Sequence, residues 1–438
     1  YFRAGSDEPS IRQGLQLVAA SLVFTLAYGV LGFYLLDRHY SVNFGFWDAL
    51  RQTVVMFTQF YDPGLQPVTR FGRYFADSIY FVGVATFGYA LLMLLRPVLA
   101  HPHASEEDRS RAWEIVCAHG RTALARFALF NDKSFFFSPG GSLISYVVAD
   151  RVAVALGDPI GPPTDLPAAL TAFRRLCDSN DWRPAFYQVL PDSVSVYQRA
   201  GYEAATLGHE AVVDLGKFTL EGSENKNVRN AYSKMKRNGY SAEVIQPPYS
   251  PRMLRELEII SNDWLSSRDE PEMRFSMGWF DPAYLNTCPI LLVRDKEGFI
   301  DAFANLVPEF TSKGVALDLM RYRHMSEKGI MDFLFVSLLE WAKAQGYVTF
   351  DLGLSALSGI GGHAQDPTIE RALNYVYENL NRFYNFKGLH AFKEKFHPEW
   401  SPRYLVYPGV SSLPLVVPAL IRVNRGSSLL RQLLGAAK

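Results

Sequence analysis

Two long runs without a charged residue lie near one end of the chain, and they constrain its fold more than any other feature. The runs are Leu15–Leu36 and Ser78–Leu95, and each has about the 20 residues that a helix needs to cross a bilayer. A helix buried in a soluble core normally keeps a polar face, and these two runs have none. We therefore expect transmembrane helices, about 15–36 and 78–95, with a pair of buried core helices as the alternative.

Charged residues at the ends of the two runs agree with this expectation. Arg12 precedes the first run and Asp37 follows it, while Asp77 and Arg96 bracket the second. Between the runs, the segment 46–61 mixes apolar and polar residues, and we expect it to be re-entrant or interfacial. Charge bias does not determine the membrane orientation.

Composition limits the remaining possibilities. The chain has 438 residues and a formal net charge of zero, so any nucleic-acid contact must come from local patches. The three cysteines, Cys117, Cys177 and Cys288, are odd in number and far apart, which argues against a disulfide framework and a zinc cluster. The chain opens at Tyr1 without a basic leader or cleavage site, so we expect no signal peptide and treat the chain as a candidate fragment of something longer.

After an anchor region at 1–100, the hydrophobic pattern predicts an α/β fold in two successive units. The first unit covers 101–221 and the second 222–410, followed by a C-terminal tail or helix at 411–438. Each unit alternates predicted strands with predicted helices over a similar length. This recurrence indicates a duplicated fold with a joint near Gly222.

The second unit contains the clearest helix and strand patterns. Gly329–Gln345 has apolar residues at helical spacing, and strands are predicted before it at Gly314–Arg321 and after it at Val348–Leu352. A further helix is expected around Ile369–Phe386 and a last strand at Arg403–Tyr407. We expect the active site in this unit, because titratable residues gather there.

Seven short strings of residues stand out in the two predicted units. They are Asn131-Asp132-Lys133, Leu156-Gly157-Asp158-Pro159-Ile160-Gly161, Asp318-Leu319-Met320-Arg321-Tyr322, Met331-Asp332-Phe333-Leu334-Phe335, Leu352-Gly353-Leu354-Ser355, Phe386-Lys387 and Lys393-Glu394-Lys395-Phe396-His397-Pro398. These strings resemble the MprF family of aminoacyl-phosphatidylglycerol synthases, and the pattern at Gly329–Gln345 and Val196–Tyr202 resembles the acyltransferase fold of the GNAT superfamily. The resemblance covers roughly Ala100 to Val410. It implies two tandem GNAT-like units behind the last membrane helices of the family, without the family's larger N-terminal flippase region.

The resemblance also implies a reaction, in which an amino acid, lysine or alanine, moves from aminoacyl-tRNA to the glycerol headgroup of phosphatidylglycerol. The product lowers the negative charge of the envelope and gives resistance to cationic antimicrobial peptides. The implied location is the bacterial inner membrane, multi-pass, with the synthase region in the cytoplasm. The implied partners are aminoacyl-tRNA, phosphatidylglycerol and the membrane, with a homo-oligomer and an upstream flippase region as further partners.

No metal or cofactor is expected. Acetyl-CoA enzymes of the GNAT fold hold pyrophosphate on a glycine-rich turn that opens the central helix. Here the turn Arg321–Gly329 has one glycine and a carboxylate, Glu327, which would oppose a phosphate. The sequence therefore argues against coenzyme A.

Five residues are predicted to carry the chemistry. Because aminoacyl-tRNA is an activated ester, the enzyme must chiefly bind an ammonium group, align a hydroxyl and stabilise an oxyanion. Asp318 and Asp351 fall near the ends of adjacent predicted strands, and Asp332 falls in the first turn of the helix between them. The alternative is that Asp332 complements the helix N-terminus and Asp351 caps its strand. The predicted catalytic set is Asp318, Arg321, Asp332, Asp351 and His397, with His397 as the base.

Cations late in the chain are predicted to bind the phosphodiesters. Aromatic residues lie between them, which suits a phosphate-lined groove, and the alternative is a solvated charged face. Ser355 either donates to a carbonyl or caps a turn. The predicted substrate-binding set is Ser355, Lys387, Lys393, Lys395 and Arg403.

The segment 225–240 is rich in basic residues. On a helix they spread over more than one face, so they predict a basic surface for the tRNA acceptor stem or anionic lipid. The alternative is a solvated helix between two domains. The predicted tRNA- or lipid-binding set is Arg229, Lys234, Lys236 and Arg237.

Two other functions stay open at this point. One is a Fem-like transferase that moves amino acids from tRNA onto a cell-wall precursor. The other is a non-catalytic membrane protein that senses lipid or tRNA. An assay with exchanged acceptors separates the first from the leading hypothesis, and the absence of turnover identifies the second.

Overall fold

The computed structural model of the protein describes residues 8–35, 45–58, part of 69–88, 104–267, 272–356 and 386–424. The chain divides into two compact parts, which we call the N-terminal body (Tyr1–Pro102) and the C-terminal body (His103–Lys438). The helix expected around Ile369–Phe386 lies almost wholly outside the described residues.

The described part of the N-terminal body includes the helices α1 (Glu8–Leu35) and α2 (Phe46–Thr58). Phe33 of α1 meets Phe75 edge to face with ring centroids 5.4 Å apart, and the Tyr28 hydroxyl lies 2.9 Å from the Ser78 hydroxyl. The run Leu15–Leu36 forms most of α1, and most of Ser78–Leu95 lies outside the described residues. Judged on the described residues, no helix combines the length and apolarity needed to span a membrane. The predicted membrane-anchoring helices are therefore not confirmed.

The C-terminal body is a mixed α/β structure, as the sequence predicts. Its described strands form one eleven-stranded sheet. They are β1 (Ser134–Phe137), β2 (Leu143–Ala149), β3 (Val152–Leu156), β4 (Arg183–Val189), β5 (Glu203–Asp214), β6 (Ser241–Ile245), β7 (Ile290–Arg294), β8 (Ile300–Pro308), β9 (Gly314–Tyr322), β10 (Thr349–Ala356) and β11 (Glu399–Tyr407).

Ten α-helices of the described part accompany the sheet. They are α3 (Glu106–His119), α4 (Leu124–Phe127), α5 (Leu166–Ser179), α6 (Val194–Arg199), α7 (Lys226–Arg237), α8 (Pro251–Ser266), α9 (Pro282–Leu285), α10 (Ile330–Ala344), α11 (Phe386–Glu394) and α12 (Leu413–Asn424). The long apolar helix α10 packs against α7, with the rings of Tyr232 and Phe333 stacked at 5.1 Å. Helix α8 buries Leu257 and Ile260 in a separate cluster against β8 and β9.

The strand order is β1-β2-β3-β4-β11-β5-β10-β9-β8-β7-β6, and it repeats a pattern on either side of its centre. On one side β3 pairs with β4 in parallel, and on the other β9 pairs with β10 in parallel. Between these pairs lie β11 and β5, which are antiparallel to each other. Strand β11 comes from the end of the chain yet lies between β4 and β5, so each half of the sheet is completed by a strand from the other.

The cavity described below exists because β9 and β10 separate. Their parallel pairing runs only as far as Ala316 and Asp351. Both strands then contain a bulge: Asp318 and Leu319 lie opposite one residue of β8, and Leu352 and Gly353 lie opposite one residue of β5. A bulge adds a residue to one strand and bends it, which redirects side chains. Gly353 has a φ of +83°, a conformation that a residue with a Cβ adopts only with strain.

Candidate functional site

A cavity of about 430 Å³ lies between the diverging ends of β9 and β10. Its charged lining residues come from four elements of the C-terminal body. They are Glu210 on β5, Asp318 and Arg321 on β9, Asp351 on β10 and Lys393 on α11. Most of the remaining surface is apolar, including Phe127, Met273 and Met277. A cavity with a few charged groups on an apolar wall is the usual form of a small-molecule site.

Asp318 faces the cavity with both carboxylate oxygens hydrogen-bonded. Oδ2 accepts a bond of 2.6 Å from the Tyr284 hydroxyl, and Oδ1 accepts one of 2.8 Å from the Gly278 amide. Burial raises the pKa of Asp318, and these hydrogen bonds oppose the rise because they favour the carboxylate. Asp318 can therefore offer a negative charge to an incoming ammonium group.

Arg321, three residues further along β9, is buried and fully engaged by protein groups. Its Nη2 donates to Glu272 at 2.8 Å, and its guanidinium lies 4.0 Å from the centre of the Trp264 ring. Glu272 and Gly278 lie on one segment, so this segment is joined to β9 at Arg321 and again at Asp318. Arg321 therefore holds a wall of the cavity in place.

Asp351 and Lys393 form a second charged group. Lys393 is buried, and its Nζ donates to the carbonyl oxygens of Gly353 at 2.8 Å and Leu354 at 3.1 Å. Asp351 accepts a bond of 2.7 Å from the Gly353 amide. Burial raises the pKa of Asp351 and lowers the pKa of Lys393, and the attraction between the two charges opposes the Lys393 shift. The bulge thus brings a carboxylate and an amine to one end of the cavity.

Glu210 and Arg403 join the two central strands. Arg403 on β11 forms a buried ion pair with Glu210 on β5, and Nη1 of Arg403 also donates to the Ser401 hydroxyl at 3.2 Å. Glu210 lines the cavity. Arg403, predicted to bind substrate, is thus occupied by a carboxylate that the sequence analysis did not select.

Other predicted residues lie apart from the cavity lining. Asp332 pairs with Lys395 at 2.8 Å on the surface of α10. His397 is exposed, and its Nε2 lies 3.2 Å from the Asn225 side-chain oxygen. Asp332, Lys395 and His397 are not among the described residues that line the cavity. Their separation from Asp318 follows from the helical geometry, because Lys395 and His397 come after α11 has ended while Lys393 lies within it.

Ser355 is buried, with its hydroxyl 3.3 Å from Nδ1 of His390, whose ring stacks on Trp400 at 4.3 Å. The side chain of Lys387 lies outside the described residues. Ser355 is not among the described residues that line the cavity.

The four basic residues predicted on the 225–240 segment share helix α7 but not one role. Arg229 donates to the carbonyl of Gly222 at 2.9 Å, and Lys234 pairs with Glu327 at 2.8 Å. The Lys236 ammonium lies 4.5 Å from the centre of the Tyr232 ring, and Arg237 is exposed. Lys234, Lys236 and Arg237 therefore form an exposed basic end of α7, while Arg229 anchors the preceding loop.

The start of α10 does not suit a pyrophosphate. Glu327 lies in the turn before this helix, where it accepts bonds from Lys234 and from Asn238 at 2.9 Å. These contacts lower the pKa of Glu327 and keep it negative, so it repels a phosphate at the position where acetyl-CoA enzymes bind one. Among the described residues, no group of His, Cys, Asp and Glu has the arrangement of a metal site.

Three residues at or behind the cavity wall, Tyr284, Glu272 and Glu210, are not among the residues predicted from the sequence. Tyr284 and Glu272 reach the cavity wall from a segment some 40 residues away in sequence, which no short motif reveals. Glu210 did carry a signal, since an acidic residue within an apolar strand pattern is unusual. The apolar pattern predicts a strand near Ala211–Leu215, and this range begins one residue after Glu210.

A sequence model of the family described as phosphatidylglycerol lysyltransferase, C-terminal, matches residues 113–407. A phosphatidylglycerol lysyltransferase of Bacillus subtilis is 35% identical over 338 residues, 76% of this chain and 39% of the relative. One of Staphylococcus aureus is 33% identical over 313 residues, 71% of this chain and 37% of the relative. The chain thus spans about two fifths of the length of these curated relatives.

Solved structures agree with the sequence relatives. A structure described as L-PGS from Bacillus licheniformis is 35% identical, with a TM-score of 0.65, and the match covers 74% of this chain and 98% of that one.

Proposed function

Because the chain belongs to the family of the phosphatidylglycerol lysyltransferase C-terminal region, we propose that it transfers an aminoacyl group, lysyl as in the named relatives, from aminoacyl-tRNA to phosphatidylglycerol. The cavity between β9 and β10 is the proposed reaction site. The observation that carries the proposal is the convergence of Asp318, Arg321, Asp351 and Lys393 on this one cavity from separate elements.

Asp318 is the proposed ligand of the α-ammonium group of the transferred amino acid. Its oxygens accept hydrogen bonds from neutral donors, Tyr284 and Gly278, so its charge is not cancelled by a direct cation at that site. Arg321 lies on the same strand and is already paired with Glu272. An ammonium group is therefore bound more strongly by Asp318 than by Glu272, whose charge is already paired with Arg321.

Asp351 and Lys393 are proposed to act at the acceptor end. The amine of Lys393 is the one buried lysine among the described residues that line the cavity, and it suits the phosphodiester of the lipid headgroup. A carboxylate whose pKa is raised by burial is a better proton acceptor near neutral pH than an ordinary one. Asp351 takes the place in the mechanism that the sequence analysis gave to His397.

The proposed reaction is a direct exchange of esters. The headgroup hydroxyl attacks the aminoacyl carbonyl, a new carbon–oxygen bond forms to the lipid, and the bond to the terminal tRNA ribose breaks. The proton lost by the attacking hydroxyl passes to Asp351 and then to the leaving ribose oxygen. Because the ester is already activated, alignment of the two substrates supplies much of the rate.

The basic end of α7, formed by Lys234, Lys236 and Arg237, is the proposed contact for the tRNA backbone. Exposed cations contact phosphates without reading base sequence.

We further propose two tandem GNAT-like units at 101–221 and 222–410 with a tail at 411–438, and attachment of the whole protein to a membrane through 1–100. The exchange of β5 and β11 between the halves supports a duplication of the fold.

The direct experiment supplies the full chain with lysyl-tRNA and vesicles containing phosphatidylglycerol, and measures lysylated lipid by mass spectrometry. We expect lysyl-phosphatidylglycerol, and none when uncharged tRNA replaces lysyl-tRNA. Vesicles of phosphatidylethanolamine and a cell-wall precursor amine serve as alternative acceptors. Product on the precursor alone would favour the Fem-like transferase, and binding of tRNA without any product would favour a sensor.

A further inference from the structure

We propose that Tyr284 and Asn305 are positioning residues that hold the Asp318 carboxylate in the orientation that receives the substrate's ammonium group. This inference rests on the proposed function, in which Asp318 binds that group. Neither residue belongs to the predicted site, and neither needs to touch the substrate.

The inference starts from the bulge in β9. Asp318 and Leu319 lie together opposite Asn305, since Ala304 pairs with Met320 and Leu306 pairs with Leu317. A bulge leaves a backbone group without its ladder partner. The Leu319 amide, freed in this way, donates to Oδ1 of the buried Asn305 at 2.8 Å.

This first bond sets the direction of the whole chain of hydrogen bonds. With Oδ1 of Asn305 facing the Leu319 amide, the other end of the Asn305 side chain must be the NH₂ group, which can only donate. Nδ2 of Asn305 lies 3.0 Å from the Tyr284 hydroxyl, so the hydroxyl oxygen accepts there. The Tyr284 proton is then directed at Oδ2 of Asp318, 2.6 Å away.

The tyrosine itself is firmly placed. Its ring is buried and meets Phe130 edge to face with centroids 4.9 Å apart. Burial and the neighbouring Asp318 charge raise the pKa of Tyr284 well above its usual value, so the hydroxyl keeps its proton across the working pH range. The donor is therefore permanent.

The remaining charged and titratable groups around Asp318 and Tyr284 are few among the described residues. Arg321 acts on Asp318 from the same strand, and Cys288 acts on both residues from the segment after α9. The Arg126 guanidinium lies 5.9 Å from the centre of the Tyr284 ring. Loss of the Tyr284 hydroxyl would remove a hydrogen bond that favours the carboxylate and leave these groups in place, so the Asp318 pKa would rise.

The test compares Tyr284→Phe with the wild type by two independent measurements. Carboxyl-carbon NMR of the full chain reports the Asp318 pKa, and initial rates at varied lysyl-tRNA and pH report kcat and KM. We expect the Asp318 pKa to rise, the acid limb of kcat/KM to move up by a matching amount, and kcat/KM at pH 7 to fall about tenfold, the usual size of one charged hydrogen bond. The larger part of that loss should appear in KM.

Tyr249→Phe is the matched control. Its hydroxyl is also in a buried setting, but it donates to the backbone carbonyl of Cys288 at 2.7 Å, whereas the Tyr284 hydroxyl donates to the Asp318 carboxylate. It should lose stability to a similar extent without moving the pH profile.

Asn305→Asp is the second variant, for use alongside Tyr284→Phe or in its place if that protein unfolds. It keeps the acceptor for the Leu319 amide but replaces the NH₂ donor with an acceptor, so the Tyr284 proton is divided between two carboxylates. We expect the same upward shift of the Asp318 pKa.

The outcomes separate the two proposals. An unchanged Asp318 pKa in folded Tyr284→Phe and Asn305→Asp overturns the positioning role. If the Asp318 pKa shifts in the variants but the wild-type protein makes no lysylated lipid, the positioning role is supported and the proposed function is overturned.

Discussion

The Arg321 guanidinium and the Glu272 carboxylate form an ion pair at 2.8 Å in which both side chains are nearly buried, at 7% and 14% exposure. Glu272 Oε1 also accepts the Phe280 amide at 3.1 Å. The pair therefore joins the cavity-lining segment 272–280 to β9, and it stabilises a wall that the proposed reaction requires.

Removal of one partner of this pair should be costly. In Glu272→Gln the Arg321 charge stays buried without its counter-ion, and we expect a loss of about 3–5 kcal/mol in the free energy of unfolding. Urea unfolding of the full chain measures it. Glu243→Gln is the matched control, since Glu243 pairs with Arg294 in an exposed setting and should cost less than about 1 kcal/mol. Equal losses in the two variants would contradict the structural role of Glu272.

Two lysines separated by one residue should behave differently. Lys393 is buried at the cavity, whereas Lys395 is partly exposed and pairs with Asp332 on the surface. We expect Lys393→Ala to reduce lysyl transfer at least a hundredfold, about 3 kcal/mol at about 1.4 kcal/mol per tenfold. Lys395→Ala should reduce it far less. Initial-rate assays on both variants decide the point, and a larger loss in Lys395→Ala would place the acceptor site elsewhere.

Stability should depend on pH through Asp158 in the first half of the sheet. Burial raises the pKa of Asp158 to about 6, and its Oδ2 accepts the Leu190 amide at 2.9 Å. Between an ordinary carboxyl pKa near 4 and this raised value, the folded state binds more protons than the unfolded state. The contribution of Asp158 is therefore present at low pH and lost as pH rises through about 6, by about 3 kcal/mol at most.

Asp158→Asn isolates this effect, because the amide oxygen can still accept from Leu190. The difference in unfolding free energy between wild type and variant, measured from pH 4 to 7, should move steadily in favour of the variant as pH rises. A difference that is flat with pH would show that Asp158 has an ordinary pKa.

The basic end of α7 should determine the salt dependence of tRNA binding. Each cation that neutralises a phosphate contributes about 0.7–0.9 to the slope of log affinity against log salt concentration. We expect the double variant Lys236→Ala, Arg237→Ala to lower affinity and to reduce that slope by about 1.4–1.8. Filter binding at several salt concentrations measures both quantities.

Lys217→Ala is the matched control for this surface, since Lys217 is exposed but paired with Asp214 at 3.1 Å and Glu399 at 2.8 Å. It should leave the slope near the wild-type value. An equal reduction would mean that tRNA contacts a broader surface than α7.

Local sequence pattern was sufficient for most of the elements around the site. The predicted strand Gly314–Arg321 ends one residue before β9 ends, and the predicted helix Gly329–Gln345 differs from α10 by one residue at each end. The apolar pattern also predicts a helix at Pro251–Ser266, which are the bounds of α8, and in the structure the Ser250 hydroxyl accepts from the Met253 amide. These elements are predictable because the period of apolar residues and the capping residue act over a few positions.

Some of the predicted charged residues line the cavity and others lie at the surface, and the local sequence pattern does not distinguish the two groups. Asp318, Arg321, Asp351 and Lys393 meet at the cavity because two bulges bend β9 and β10. Lys395 and His397 carry the same chemistry a few residues later, yet they lie at the surface. A difference of two to four residues across a helix end changes the direction of a side chain by a large angle, and composition is insensitive to it.

The chain's order of residues was thus enough to predict the mixed α/β class, the family and most of the elements around the site. It was not enough to place β11 between β4 and β5, to pair Arg403 with Glu210, or to aim the Tyr284 hydroxyl at Asp318. The physical reason is range: helix and strand formation depends on neighbours in sequence, whereas these contacts join residues 34 to 220 positions apart and form only when the whole sheet is assembled.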